Sequence, residues 1–239
     1  MVLGTKERII AAKQFATERY IRSTHPVLYL PLWKRDAGGT NQIRSDDAYG
    51  HLATVSGALW TPQGRTFDGV DDQILIADPS SVLDLTTALT YEVWVKPSNG
   101  GDSYGRFLTK TSTDPYASRV VMLGKELDDE TNVRWEHFGL TPTVLNSGTG
   151  KMTVDAWNHV VGTYVNTPVR VIYVNGVAVA NDTGTGTITS TPGAVLWVGS
   201  LFTDNQNLLA TIGEVRVYRR ALSVVEIMQN YLATKWRYR

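Results

Sequence analysis

Between Ala210 and Tyr218 hydrophobic and polar positions alternate, with Val215 and Val217 on one side and Glu214, Arg216 and Tyr218 on the other. This pattern predicts a strand with one buried face. A few residues later the period lengthens. Val224, Ile227, Met228, Tyr231 and Leu232 follow at i, i+3, i+4, i+7 and i+8, and Ser223 with Glu226 has the spacing of a capping box. A short C-terminal helix over 223–236 is predicted. At the other end Ile9, Ala12, Phe15, Ala16 and Tyr20 make an apolar stripe opposed by Lys6, Glu7, Arg8, Lys13 and Glu18, and His25-Pro26 closes that helix. The chain therefore divides into an N-terminal helical arm, 1–26, and an all-β domain, 27–239, that includes the C-terminal helix.

From Val27 to Leu222 short β-rich runs alternate with turn residues at the spacing of an antiparallel sandwich. VLYLPLW (27–33) reads as the first strand, with Pro31 tolerated at an edge or a bulge. Residues 35–51 read as a loop. Asn175-Gly176 between VIYV and VAV signals a type I′ hairpin, whose two central residues both need positive φ. Residues 181–193, rich in glycine and threonine, read as an exposed connection with one short strand, and Asn181-Asp182-Thr183 as a turn rather than a glycosylation site.

Composition narrows the partners. A chain of 239 residues with 42% apolar content can bury one large core. Lys+Arg and Asp+Glu both number 23, so no net field draws the chain to nucleic acid or an anionic membrane. No cysteine is present, which removes disulfides and thiolate metal sites. No window is apolar enough to span a membrane, and the first twenty residues lack the apolar core of a secretion signal.

The strand-to-helix ending resembles the close of laminin G-like domains of the concanavalin A-like lectin/glucanase superfamily, whose chains often finish in a strand and an R-A-L-S-x-x-E-I segment. FDGVDDQILIAD (67–78), LTYEVWVKP (89–97), WNHVVGTY (157–164), VIYVNGVAV (171–179) and VLWVGS (195–200) are similar to the family's segments and stand in the family's order. The resemblance implies a concanavalin A-like antiparallel jelly-roll β-sandwich. That superfamily includes lectins, adhesion domains, glycan-cleaving enzymes and structural domains, so function must be argued from sites.

Glu126, Asp128 and Glu130 spell E-x-D-x-E, resembling the catalytic strand of laminarinase-type glucanases. On a regular strand positions i and i+4 lie about 13 Å apart, whereas a retaining glycosidase holds its carboxyls at about 5–5.5 Å. The segment also lies between two apolar runs, so it reads as a charged hairpin tip and the protein as a non-enzyme. The four histidines lack metal-ligand spacing. Calcium is the one cofactor with support: Asp68, Asp71 and Asp72 crowd one segment, and the resemblance adds Glu214, which stands where relatives often carry aspartate. The competing reading is a charged turn in which the carboxylates accept backbone N–H groups.

For a glycan, aromatic residues in loops are the platforms to seek. Tyr104, Tyr116 and Trp135 are the candidates. The stripe of Ile9, Phe15 and Tyr20 either packs on the sandwich or docks on a neighbouring subunit, giving a homo-oligomer through the arm. The basic and aromatic tail from Thr234 to Arg239 is read as a helix anchor held by Trp236, not a nucleic-acid contact. The expected partners are protein subunits of an assembly, surface glycan, or both, with no nucleic acid. The expected location is a virion, with an extracellular setting as the alternative.

Overall fold

The computed structural model describes residues 5–35, 41–111, 119–201 and 206–239. Strands make up 45% of the described residues and form two large antiparallel sheets face to face. The first runs Val177–Thr183, Val169–Val174, Asn158–Val165, Ala88–Pro97, Leu209–Tyr218, Gly64–Asp68, Leu59–Thr61, with Leu28–Pro31 also paired to Leu209–Tyr218. The second runs Val144–Asn146, Asp129–His137, Arg119–Glu126, Arg106–Thr111, Val195–Val198, Gln73–Ile76, Leu52–Ser56, Gln42–Arg44.

The strand Leu209–Tyr218 is central because its alternation serves both neighbours. Ile212, Val215 and Val217 point into the core beside Tyr91, Val93 and Val95. A bulge at Gly213 shifts register between Ile212 and Glu214, so the first half pairs with Gly64–Asp68 and the second with Leu28–Pro31. Pro31 ends its strand, where its missing donor breaks no ladder.

The hairpin at Asn175-Gly176 forms as predicted, with φ of 52° and 81°. Within the expected loop 35–51, Gln42–Arg44 is instead an edge strand, because Ile43 can bury there. Thr185–Gly186 supplies the short strand expected in the 181–193 connection, pairing with Leu140–Thr141.

Helix α1 spans Thr5–Ser23 and helix α2 spans Val224–Thr234. Ser223 caps α2: its hydroxyl accepts the Glu226 N–H and the Glu226 carboxylate accepts the Ser223 N–H, completing the box. The buried face of α2 is rotated from the predicted stripe. Ile227, Asn230 and Thr234 are buried, while Val224 and Leu232 are exposed. The reason lies beneath the helix, where the outer face of the first sheet carries Glu92, Trp94 and His159 beside a small apolar patch at Val161 that Ile227 covers.

Candidate functional site

The outward row of the first sheet presents Glu92, Trp94, His159, Glu214 and Arg216; α2 covers Glu92, Trp94 and His159, while Tyr29 and Trp33 close over Glu214. Arg216 is fully buried between Glu92 and Glu214, giving one ion pair to each. Glu92 also contacts His159 Nε2 at 2.7 Å and accepts Asn230 Nδ2 at 2.8 Å. Glu214 accepts the Tyr29 hydroxyl at 3.3 Å and Trp33 Nε1 at 3.5 Å. Trp94 donates to Thr234 Oγ1 at 2.8 Å and stacks on Tyr238, ring centroids 4.5 Å apart. This polar seat, which sequence reasoning missed, fastens α2 to the sandwich. Its signal was the charged partner set Glu92, Glu214, Arg216 at outward positions of two adjacent strands.

Burial alone would raise the Glu92 carboxyl, but Arg216, His159 and Asn230 outweigh it and bring it down to about 2. Asp47 also falls to about 2, against its burial, through His51, Ser45 and the Tyr29 and Tyr49 N–H groups. Among the described residues His137 has no hydrogen-bond partner for either buried ring nitrogen, and burial followed by nearby Arg170 pushes it well below 6.5. All three bind fewer protons folded than unfolded, so the stability they contribute is present above their unfolded values and lost as pH falls. Asp72, raised by burial, works weakly in the opposite direction. Urea midpoints measured at stepped pH should begin to fall below about 6.5 and drop most steeply between 4.5 and 2. A flat profile through that lower window would contradict the assignment of Glu92.

Glu214 therefore does not belong to the calcium set. Leu209 is the register partner of Asp68, and Glu214 lies five residues further along that strand, roughly 16 Å away. Asp68, Asp71 and Asp72 do come together, with ligand oxygens within 4.8 Å of one another. Asp72 accepts the Asp68 N–H at 2.8 Å, and Asp68 accepts the Val70 N–H at 2.9 Å, as in a carboxylate-closed turn. The trio offers three of the roughly six to eight oxygens that calcium takes.

Trp135 is a correction. It is 0% exposed, packed edge-on to His137 and against Tyr91, with Nε1 donating to the Thr163 carbonyl at 3.2 Å. It cannot be a ligand platform. The alternation of Val133 and Trp135 with Arg134 and Glu136 was the signal that it points inward. Tyr104 is half-buried, with the guanidinium carbons of Arg106 and Arg134 each 5.2 Å from its ring. Tyr116 lies outside the described residues. An exposed aromatic not anticipated is Tyr49, beside a cavity of about 390 Å³ lined by His25, Val27, Asp46 and Asp47.

The acidic segment is a hairpin tip. Glu126 ends one strand, Asp128 turns at φ 49°, and Asp129 begins the next. Glu126 takes both oxygens to Arg134, at 3.1 and 2.9 Å, and Glu130 pairs with Lys125 at 2.8 Å. Burial would raise both carboxyls, yet backbone N–H groups and these cations hold them below the ordinary value.

Helix α1 docks through one side of its C-terminal half. Thr17 Oγ1 donates to the Ala233 carbonyl and accepts from Trp236 Nε1, both at 3.1 Å; Tyr20 donates to Asn230 Oδ1 at 3.1 Å, and Ile21 is buried. The anchor expected at Trp236 is thus formed, and Tyr20 belongs to the intramolecular seat. Ile9, Ile10 and Phe15 remain 52%, 46% and 69% exposed. Thr17, Tyr20, Leu232 and Trp236 line a groove of about 410 Å³ between the helices.

Comparison with known proteins settles the family. The laminin G-type sequence profile of the concanavalin A-like lectin/glucanases superfamily matches residues 68–228. The chain belongs to this family. No curated protein sequence matches it. Among solved structures, this laminin G-like chain is similar to Trypanosoma rangeli sialidase in complex with sialic acid, at 16% identity and a TM-score of 0.69, covering 95% of this chain and 38% of that one. Domain 4 of AbnA, a GH43 extracellular arabinanase from Geobacillus stearothermophilus, in complex with arabinotriose, is similar at 15% identity and a TM-score of 0.63, covering 86% and 98%. The binding domain of botulinum neurotoxin serotype G is similar at 13% and 0.64, covering 87% and 50%. The chain spans about two fifths of the sialidase chain and half of the neurotoxin's binding-domain chain. At these identities the likeness is one of fold. Among the described residues no helix is long and apolar enough to cross a membrane.

Proposed function

We propose that this laminin G-like chain is a non-enzymatic recognition and assembly module, whose sandwich contacts glycan or protein and whose arm attaches it to other subunits of a larger particle, a phage or virus virion. The observation that carries this reading is the stripe of α1: a helix anchored at one end presents Ile9 and Phe15 to solvent. Exposed apolar side chains grouped on one element mark contact surfaces. Supporting the non-enzymatic part, Glu126 and Glu130 each hold their own cation, and Glu92, Glu214 and Asp78 are engaged by buried partners. Cross-linking through Lys6 and Lys13 in the purified source particle should join α1 to another subunit. Recovery of cross-links only within the sandwich, or absence of the chain from particles, would end this reading.

A stand-alone carbohydrate-binding module is the second reading, favoured by the likeness to almost the whole of a domain solved with arabinotriose. A strong glycan-array signal abolished by Tyr49→Ala or Tyr104→Ala, from a chain that stays monomeric, would prefer it. A glycoside hydrolase ranks below both, because its two glutamates would first have to leave Arg134 and Lys125.

A further inference from the structure

The chain carries two Asn-Gly dipeptides, Asn99-Gly100 and Asn175-Gly176. In such a pair the backbone nitrogen after asparagine can close on the side-chain amide carbon, because glycine has no side chain to obstruct the approach. The reaction needs an untethered side-chain amide, a backbone free to turn about the Asn-Gly linkage, and a nitrogen able to shed its proton. The fold treats the two pairs in opposite ways.

Asn175 is held in place. Its Oδ1 accepts the His159 N–H at 2.9 Å, and its own N–H donates to the His159 carbonyl at 2.8 Å. Val174 and Val177 close the turn as a ladder pair. Gly176 is buried against α2, where a Cβ would lie 2.9 Å from the Met228 Sδ. Attack there would require opening the hairpin and lifting α2. Asn99 is exposed, and among the described residues its side chain has no hydrogen bond. The loop is pinned on either side of it, by the Ser98 N–H on the Leu209 carbonyl at 3.1 Å and by Gly101 packed on Leu209. Between these pins Gly100 stands at φ 97°, where an added Cβ would meet only Leu209 Cδ2, at 3.7 Å. The Gly100 N–H reaches Glu130 Oε1 at 3.4 Å, a long contact to an oxygen that Lys125 already holds at 2.8 Å.

We infer that Asn99 is a self-modification site, converted to aspartate and isoaspartate with water as the co-reactant, while the fold protects Asn175. The Gly100 N–H gives its proton to hydroxide or water and the nitrogen bonds to Asn99 Cγ. The Cγ–Nδ2 bond breaks, and the departing nitrogen takes a proton from water and leaves as ammonia. Water then adds to either carbonyl of the cyclic imide and breaks one of its C–N bonds, which returns the peptide through the α-carbonyl or through the side chain. The folded chain, of zero formal charge, gains one negative charge on a loop that already packs against Gly69 of the Asp68–Asp72 turn. The test is incubation of the folded full chain in mildly alkaline buffer, followed by peptide mass mapping and isoaspartyl methyltransferase labelling, beside a sample in guanidinium. Conversion should appear at Asn99 with isoaspartate present, and should run at least about ten-fold slower at Asn175, whose reaction waits on local opening. In guanidinium the two sites should react at similar rates. Asn99→Gln should remove the acidic species seen on ion exchange while circular dichroism stays native. Asn99 intact in the folded chain, equal folded rates at the two sites, the same disparity in guanidinium, or aspartate without isoaspartate would each overturn the assignment.

Discussion

Replacing Arg216 by methionine is expected to lower the unfolding free energy by about 3–5 kcal/mol, the usual effect of leaving a buried charge without its partner. Here two carboxylates are stranded. Glu92 lies beneath α2 and Glu214 is buried beside Tyr29 and Trp33, and among the described residues the Arg216 guanidinium is the one cation that pairs with both. Their remaining contacts to Tyr29, Trp33, Asn230 and His159 orient them, but none of these reaches both carboxylates as the guanidinium does. A domain is stable by roughly 5–15 kcal/mol in all, so the variant should sit near the edge of folding at neutral pH. Urea unfolding followed by circular dichroism measures it. Adding Glu92→Gln and Glu214→Gln removes the stranded charges and should recover much of the loss. A single variant within about 1 kcal/mol of the wild type would show that the seat is wetter than its burial indicates.

Trp135→Ala should be comparably damaging, at about 3–5 kcal/mol, because a large buried aromatic leaves a cavity that a two-sheet core cannot close. Its pocket is shaped around the ring. Gly162 on the facing sheet is bare backbone there, and a Cβ would lie 2.7 Å from two ring carbons. The Nε1–H also leaves the Thr163 carbonyl without its donor when removed. Trp135→Phe should keep most of the packing and lose the hydrogen bond, an intermediate result on the same urea curves. If the alanine variant were as stable as the wild type and only ligand binding suffered, the assignment of Trp135 to the core would be wrong.

These two positions show why parts of the protein were legible and others were not. Strand alternation in 210–218, the Asn175-Gly176 turn and the Ser223–Glu226 box are local: each depends on dihedrals and side chains within a few residues. The hairpin tip at Glu126–Asp129 was readable for the same reason, from charge between two apolar runs. Trp135 was misjudged by its nearness to that tip, although its alternation with Arg134 and Glu136 already placed it on the inner face. Tyr104 was correctly found in a loop, but its pairing with Arg106 and Arg134 joins strands distant in sequence.

Short-range pattern by itself determined the class of fold, the two terminal helices and the charged turn, since side-chain periodicity and capping chemistry act over a few residues. Only the folded arrangement decided what covers the outer face of the first sheet. Glu92, Trp94, Glu214 and Arg216 occupy positions that periodicity assigns to solvent, and they became an interior when α2, with Asn230 and Thr234, and the rings of Tyr29 and Trp33 closed over them. The same packing used Thr17, Tyr20 and Ile21 of α1 and left Ile9 and Phe15 outside. A helix stripe specifies that it will seek cover, while the surface within reach specifies how much of it is covered.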